Sequence, residues 1–206
     1  MIRRLRISRF SPGSLRSDAQ AERTAREFGD LVGRAVNATV SPAPIRFIRN
    51  EREYFDGFIA HVDGKIPARL PLTNGRYMFV YHRLGLRRPE RYLTTLEYGY
   101  WYQANADPAS WIFRYEYQRE PKLPYRYARC HVHVNAAPAT YAGVTEFSKL
   151  HLPAGDRVTV ESFLRHLIEE HDVPPISPKW EKILDETEAA FRKIQNRRAR
   201  DPADSN

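Results

Sequence analysis

The chain has 206 residues, 42% of them hydrophobic and 28% charged, a balance that suits a soluble globular fold with one core and excludes a disordered or fibrous chain. No apolar run is long enough to span a bilayer, and no membrane partner is expected. The net charge of +8 and a pI near 9.7 favour polyanionic partners, with nucleic acid ahead of a membrane surface.

Arginine outnumbers lysine, and a guanidinium both forks onto phosphate and stacks on bases, which favours RNA or DNA. Cys130 is the single cysteine, so no disulfide can form within one chain. A reducing cytoplasm is therefore the expected compartment. Met1 to Phe10 is basic and lacks the apolar run of a signal peptide.

In chain order, residues 1–16 read as a basic arm, with a short edge strand at Leu5–Ile7 as an alternative. A helix is expected over 17–37, capped by Ser17 or Asp18, with Ala21, Ala25, Phe28, Leu31, Val32 and Ala35 as its buried stripe. Arg23, Arg26 and Arg34 lie between them and read as a solvated face. Ser41-Pro42-Ala43-Pro44 ends the helix and opens an antiparallel sheet expected over 44–152. Asp56-Gly57, Asp63-Gly64 and Asn74-Gly75 read as hairpin turns. They delimit strands at Phe58–Val62, Lys65–Leu70 and Arg76–Arg83. Pro67 marks the second as an edge strand, and the doubly apolar Tyr77–Tyr81 run marks the third as central.

Gly85 to Glu90 reads as a loop carrying Arg87 and Arg88. Two long strands follow. In Tyr92–Gln103, Tyr98, Tyr100 and Tyr102 oppose Glu97, Gly99, Trp101 and Gln103. In Trp111–Gln118, Trp111, Phe113, Tyr115 and Tyr117 oppose Ile112, Arg114, Glu116 and Gln118. Glu146–Leu152 reads as a last strand with Lys149 and His151 on one face. Two helices are expected within 159–196. Thr159 caps the first, whose stripe is Phe163, Leu164, Leu167 and Ile168. Ser177-Pro178 starts the second, whose apolar side runs from Trp180 to Ile194. Residues 197–206 read as a disordered tail. The whole is an α+β fold: one domain, an antiparallel β-meander flanked by an N-terminal helix and two C-terminal helices.

The most informative stretch is Arg129-Cys130-His131-Val132-His133-Val134-Asn135. As a strand it turns Cys130, Val132 and Val134 inward. Arg129, His131, His133 and Asn135 then share the other face. If this strand neighbours the long hairpin, Arg114, Glu116 and Gln118 join that row, with Lys149 and His151 beyond. Three chemistries fit. One is metal-free RNA cleavage, with His131 and His133 as the acid/base pair, Glu116 orienting them and Arg114 holding phosphate. The second is a non-enzymatic module that binds a partner or nucleic acid, the latter through Arg114, Arg129, Asn135, Lys149, Arg87 and Arg88. The third is a divalent metal site on His131 and His133 with His151 or Glu116 as third ligand; no other cofactor is expected. His166 and His171 read as surface residues, and His61 and His82 have no partner in the sequence. No P-loop, GxSxG, CxxC or HExxH motif is present, which removes the familiar NTPase, hydrolase and zincin readings.

Leu96-Glu97-Tyr98-Gly99-Tyr100-Trp101-Tyr102-Gln103, then Trp111-Ile112-Phe113-Arg114-Tyr115-Glu116-Tyr117, then His131-Val132-His133-Val134 form a pattern of a Tyr-rich strand, a turn, a strand with Arg-Tyr-acid, and a downstream His cluster. It resembles the TumE-like toxin family of bacterial toxin–antitoxin systems over roughly residues 90–170. Glu116 stands where that pattern usually has Asp, and His131/His133 replace an adjacent His-His pair. Leu150-His151-Leu152-Pro153 before a helix is similar to longer bacterial homologues of the same group. The resemblance implies a small cytoplasmic growth-inhibiting toxin with an antitoxin partner.

Overall fold

The computed structural model describes residues 12–42, 45–50, 54–59, 69–87, 92–120, 128–135, 150–153 and 157–198. Within it, 12–20, 45–50, 54–59, 86–87, 92, 150–153 and 194–198 are described by backbone alone. The order of elements is α1 (Pro12–Thr39), β1 (Ile45–Asn50), β2 (Tyr54–Ile59), β3 (Leu70–Pro71), β4 (Tyr77–Arg87), β5 (Tyr92–Gln103), β6 (Trp111–Gln118), β7 (Cys130–Val134), β8 (Leu150–Pro153), α2 (Val160–Glu170) and α3 (Trp180–Arg198). The strands form one antiparallel sheet in the order β1-β2-β4-β5-β6-β7-β8. The short β3 pairs with the start of β4, at Met78 and Tyr77, and β2 pairs with its later part. This is the expected α+β meander with one N-terminal and two C-terminal helices. None of the described helices is long and apolar enough to cross a membrane.

The helices cover one face of the sheet. Ala21, Ala25, Phe28, Val32, Ala35 and Val36 recur at helical spacing and are buried, while Arg23, Arg26 and Arg34 are exposed. Phe163, Leu164, Leu167 and Leu184 from α2 and α3 are wholly buried. Against them the strands present an aromatic ladder. Tyr98 stacks on Tyr100 at 4.6 Å and on Tyr117 at 5.3 Å, and Tyr100 stacks on Phe163 at 5.6 Å. Each buried ring adds a large apolar area and a favourable stacking geometry. Thr159 caps α2 as expected, its hydroxyl accepting from Ser162 N at 3.0 Å.

Several boundaries differ from the sequence expectation. α1 begins at Pro12, so Ser17 and Asp18 are interior residues and 12–16 are not an arm. Proline lacks an N–H that the first turn leaves unbonded anyway, and its fixed φ suits the start of a helix. Asp56-Gly57 is no turn. It lies inside β2, where Gly57 pairs with Phe47 on one side and His82 on the other, and two flanking strands supply the ladder that a local turn signal competes with. β4 extends past Arg83 to Arg87, so Arg87 is a strand residue paired with Tyr92 and not a loop residue. α3 starts at Trp180, with Trp180 N donating to the Ser177 carbonyl at 3.2 Å, and it carries Arg197 and Arg198 to its end rather than leaving them in a tail. The Asn74-Gly75 turn stands, with Gly75 at φ +78, a conformation that costs glycine little. Leu5–Ile7, His61, Asp63-Gly64, Pro67, Glu146–Lys149 and residues 199–206 lie outside the described residues.

Candidate metal centre

The site grows from strand register. β6 pairs with β7 so that Arg114 lies opposite His133 and Glu116 opposite His131. β5 brings Trp101 beside Arg114 and Gly99 beside Glu116. Alternation sends Tyr115, Tyr117 and Cys130 toward the helices. Arg114, Glu116, His131 and His133 therefore share the opposite face.

Both imidazoles meet one carboxylate. His133 Nε2 is 3.1 Å and His131 Nε2 3.8 Å from Glu116 Oε2. The two rings lie edge to face with centroids 4.7 Å apart. The three donor atoms lie within 4.8 Å of one another, the spacing of a group that can share one metal ion. His131 Nδ1 is 2.8 Å from the Ala128 carbonyl. A carbonyl oxygen only accepts, so Nδ1 carries the hydrogen and Nε2 faces the carboxylate. That is how metal-binding histidines are commonly oriented.

Arg114 is fixed from three sides. Its Nε is 3.1 Å from Glu116 Oε1, and its guanidinium carbon lies 5.1 Å from the Trp101 ring centre and 4.9 Å from that of Trp111. Cation–π contact on both sides holds the charge in place against the carboxylate. Trp111 joins this face rather than the Phe113/Tyr115/Tyr117 row expected for it. The β5–β6 register slips between Tyr102 and Gln103, and that irregularity shifts Trp111 out of the strict alternation.

The His131 and His133 side chains are only 9% and 4% exposed, against 24% for Glu116. Burial at this depth requires mutual compensation. Burial alone would push the Glu116 carboxyl up. Hydrogen bonds from His131 and His133 and the Arg114 charge outweigh it and hold the carboxyl down at about 2. The hydrogen bond to Glu116 raises the His131 imidazole, against the opposing effect of burial.

The remaining expected residues divide clearly. Asn135 does not enter the cluster; its side-chain amide donates to the Trp111 carbonyl at 2.8 Å and ties β7 to the start of β6. Arg129 is exposed, and its carbonyl accepts from Gln118 N. Gln118 is exposed beyond the cluster, opposite Glu97. His151 pairs in register with His133, but its side chain, like that of Arg87, lies outside the described residues, as do Arg88 and Lys149 altogether. Sequence reading missed the Ala128 carbonyl and the Trp111 half of the Arg114 sandwich. It also misplaced His166 and His171, which are half-buried against Phe113 with their Nε2 atoms 3.3 Å apart. No protein-family model, curated protein or solved structure matches this chain.

Proposed function

We propose that this protein is a metal-dependent hydrolase of phosphodiesters, RNA before DNA, whose ion is held by His131, His133 and Glu116. The observation that carries the reading is the convergence of two imidazole nitrogens and one carboxylate oxygen within 4.8 Å. Two histidines and a carboxylate suit zinc, iron or manganese and leave coordination positions for water and substrate. Held by His131, His133 and Glu116, such an ion would supply Lewis acidity that lowers the pKa of water near neutrality. Arg114 orients Glu116 through Oε1 and places a fixed positive charge beside the centre. The surplus of +8 favours a polyanionic substrate. A growth-inhibiting role with an antitoxin partner, which the family resemblance implies, belongs to the same proposal.

A metal-free acid/base mechanism is the second reading, supported by the 3.1 Å His133–Glu116 pair, a unit that can shuttle a proton. It is the weaker of the two. An acid and a base that split one bond stand on opposite sides of it, whereas both imidazoles here turn to the same carboxylate oxygen.

The deciding experiment is elemental analysis of protein purified without an affinity tag, joined to RNA cleavage before and after chelation. About one metal ion per chain, cleavage lost on chelation and restored by the ion, and neither in a folded His131→Ala/His133→Ala variant are the expected results. Cleavage that survives chelation but not the double substitution would transfer the proposal to the acid/base mechanism. Full activity of the double variant would sink both.

A further inference from the structure

The helix-covered face of the sheet holds a second candidate, independent of the metal centre. A cavity of about 650 Å³ opens between α1, the start of α2, α3 and strands β4 and β5. That volume falls in the range of small-molecule sites, which are concave, largely apolar and carry a few placed polar groups. Its walls are aromatic and aliphatic: Phe28, Leu31 and Phe191 from the helices, Tyr98 and Tyr100 from β5.

The lining is also polar, with His82, Thr95 and the buried Glu161, whose carboxyl is pushed up by burial. His82 is 5% exposed, with Nε2 3.1 Å from Thr95 Oγ1 and Nδ1 3.4 Å from the Tyr100 hydroxyl. Burial, and then the nearby Arg157, push this imidazole down to about 3, so it is neutral at physiological pH. The Tyr98 hydroxyl accepts from Val158 N at 2.9 Å, and burial pushes its ionisation up, out of reach. Arg192, Glu188 and Arg157 line the cavity as well. Arg192 is paired with Glu188 at 2.7 Å. Arg157 forms no ion pair among the described residues; its guanidinium donates to the Tyr117 hydroxyl and lies 4.3 Å from the centre of that ring. The cavity thus joins an aromatic interior to Arg157, a cation that forms no ion pair among the described residues. An exposed guanidinium fixed beside an aromatic slot matches a carboxylate or phosphate on a flat apolar body.

We propose that this cavity binds a small planar aromatic molecule carrying one anionic group, its ring against Tyr98, Tyr100 and Phe28 and its anion on Arg157.

The test is calorimetric titration of the full chain with 2-naphthoate, 2-naphthyl phosphate and the neutral 2-naphthalenemethanol. Saturable one-to-one binding is expected for at least one anion, and whichever binds more tightly identifies the anionic group as carboxylate or phosphate. The alcohol is expected to bind about tenfold or more weakly, since it lacks the charge-assisted bond to Arg157. Leu31→Trp, which fills the cavity from a half-exposed helix position, should abolish binding. Arg157→Gln should weaken the anions to the level of the alcohol and leave the alcohol unchanged. Chelator-treated protein should bind as tightly as untreated protein, because the metal centre lies on the other face of the sheet. Absence of saturable binding overturns the proposal, as does an alcohol that binds as well as the anions, a Leu31→Trp variant that binds normally, or binding lost on chelation. The comparison of anion with alcohol on the wild-type chain keeps the test decisive even if Arg157→Gln does not fold.

Discussion

Two buried histidines on opposite faces of one sheet have opposite fates. His82, on the helix side, meets a threonine and a tyrosine hydroxyl and is pushed down to about 3, mainly by burial. His131, on the other side, meets the Glu116 carboxylate and is raised despite its burial. Both are less than a tenth exposed, so burial does not set the sign; the partner does. The same contrast extends to the faces as wholes. On the helix side, the Tyr98 and Tyr117 hydroxyls are satisfied by backbone and by Arg157, and packing supplies the stability. On the other side, two imidazoles, a carboxylate and a guanidinium compensate one another in a cluster that costs desolvation and holds chemistry.

Substitutions can break or sharpen this contrast. Phe163→Ala deletes a wholly buried ring against Tyr100 and Phe113 and should cost about 3–5 kcal/mol in urea unfolding, the largest effect, with little dependence on pH. A loss below about 1 kcal/mol would show that the helix face is not the stabilising one.

Glu116→Gln should cost less, about 2 kcal/mol, because it leaves the buried histidines and Arg114 without their anion while Glu116 itself is a quarter exposed. Its pH dependence is the sharper test. His131 is raised in the folded state, so its contribution is fully present below the unfolded value of about 6.5 and is lost as pH rises through the folded value. Measured in chelator, the Glu116→Gln loss should be larger at pH 6 than at pH 8, and the His131 ring should titrate lower by NMR. An unchanged His131 titration would refute the pairing.

His82 carries the opposite sign. Its folded value lies far below 6.5, so the unfolded chain binds the extra proton as pH falls. Stability from this group is complete above pH 6.5 and declines toward pH 3, with a limiting slope of about 1.4 kcal/mol per pH unit. Between pH 6.5 and 5, above the carboxylate range, the wild type should lose up to about 2 kcal/mol from this source. His82→Gln should flatten that part of the curve. Equal slopes in both proteins would mean that His82 is not held neutral.

Much of the architecture was legible in the residues. The buried stripe of α1, the cap at Thr159, the turn at Asn74-Gly75 and the alternation of β5, β6 and β7 are local effects, written in side chains a few positions apart. The row of Arg114, Glu116, His131 and His133 was legible too, given one assumption: that β6 and β7 are neighbours. The misplaced features share a cause. Trp111 changed rows because of a register slip opposite it, Asp56-Gly57 was absorbed by two flanking strands, and His166 and His171 folded onto Phe113 from a different element.

The sequence by itself determined which residues share a face wherever an element is regular, because side-chain direction there follows from backbone period alone; Trp111, beside a register slip, is the exception. The tertiary structure decided what each face meets. His82 found Thr95 and Tyr100, 13 and 18 positions away, the two strand histidines converged on one oxygen of Glu116, and a cavity formed where α1, α2 and α3 cross the Tyr98–Tyr100 rings. Those outcomes depend on register and on packing between distant segments, and a one-residue slip in either would exchange the partners.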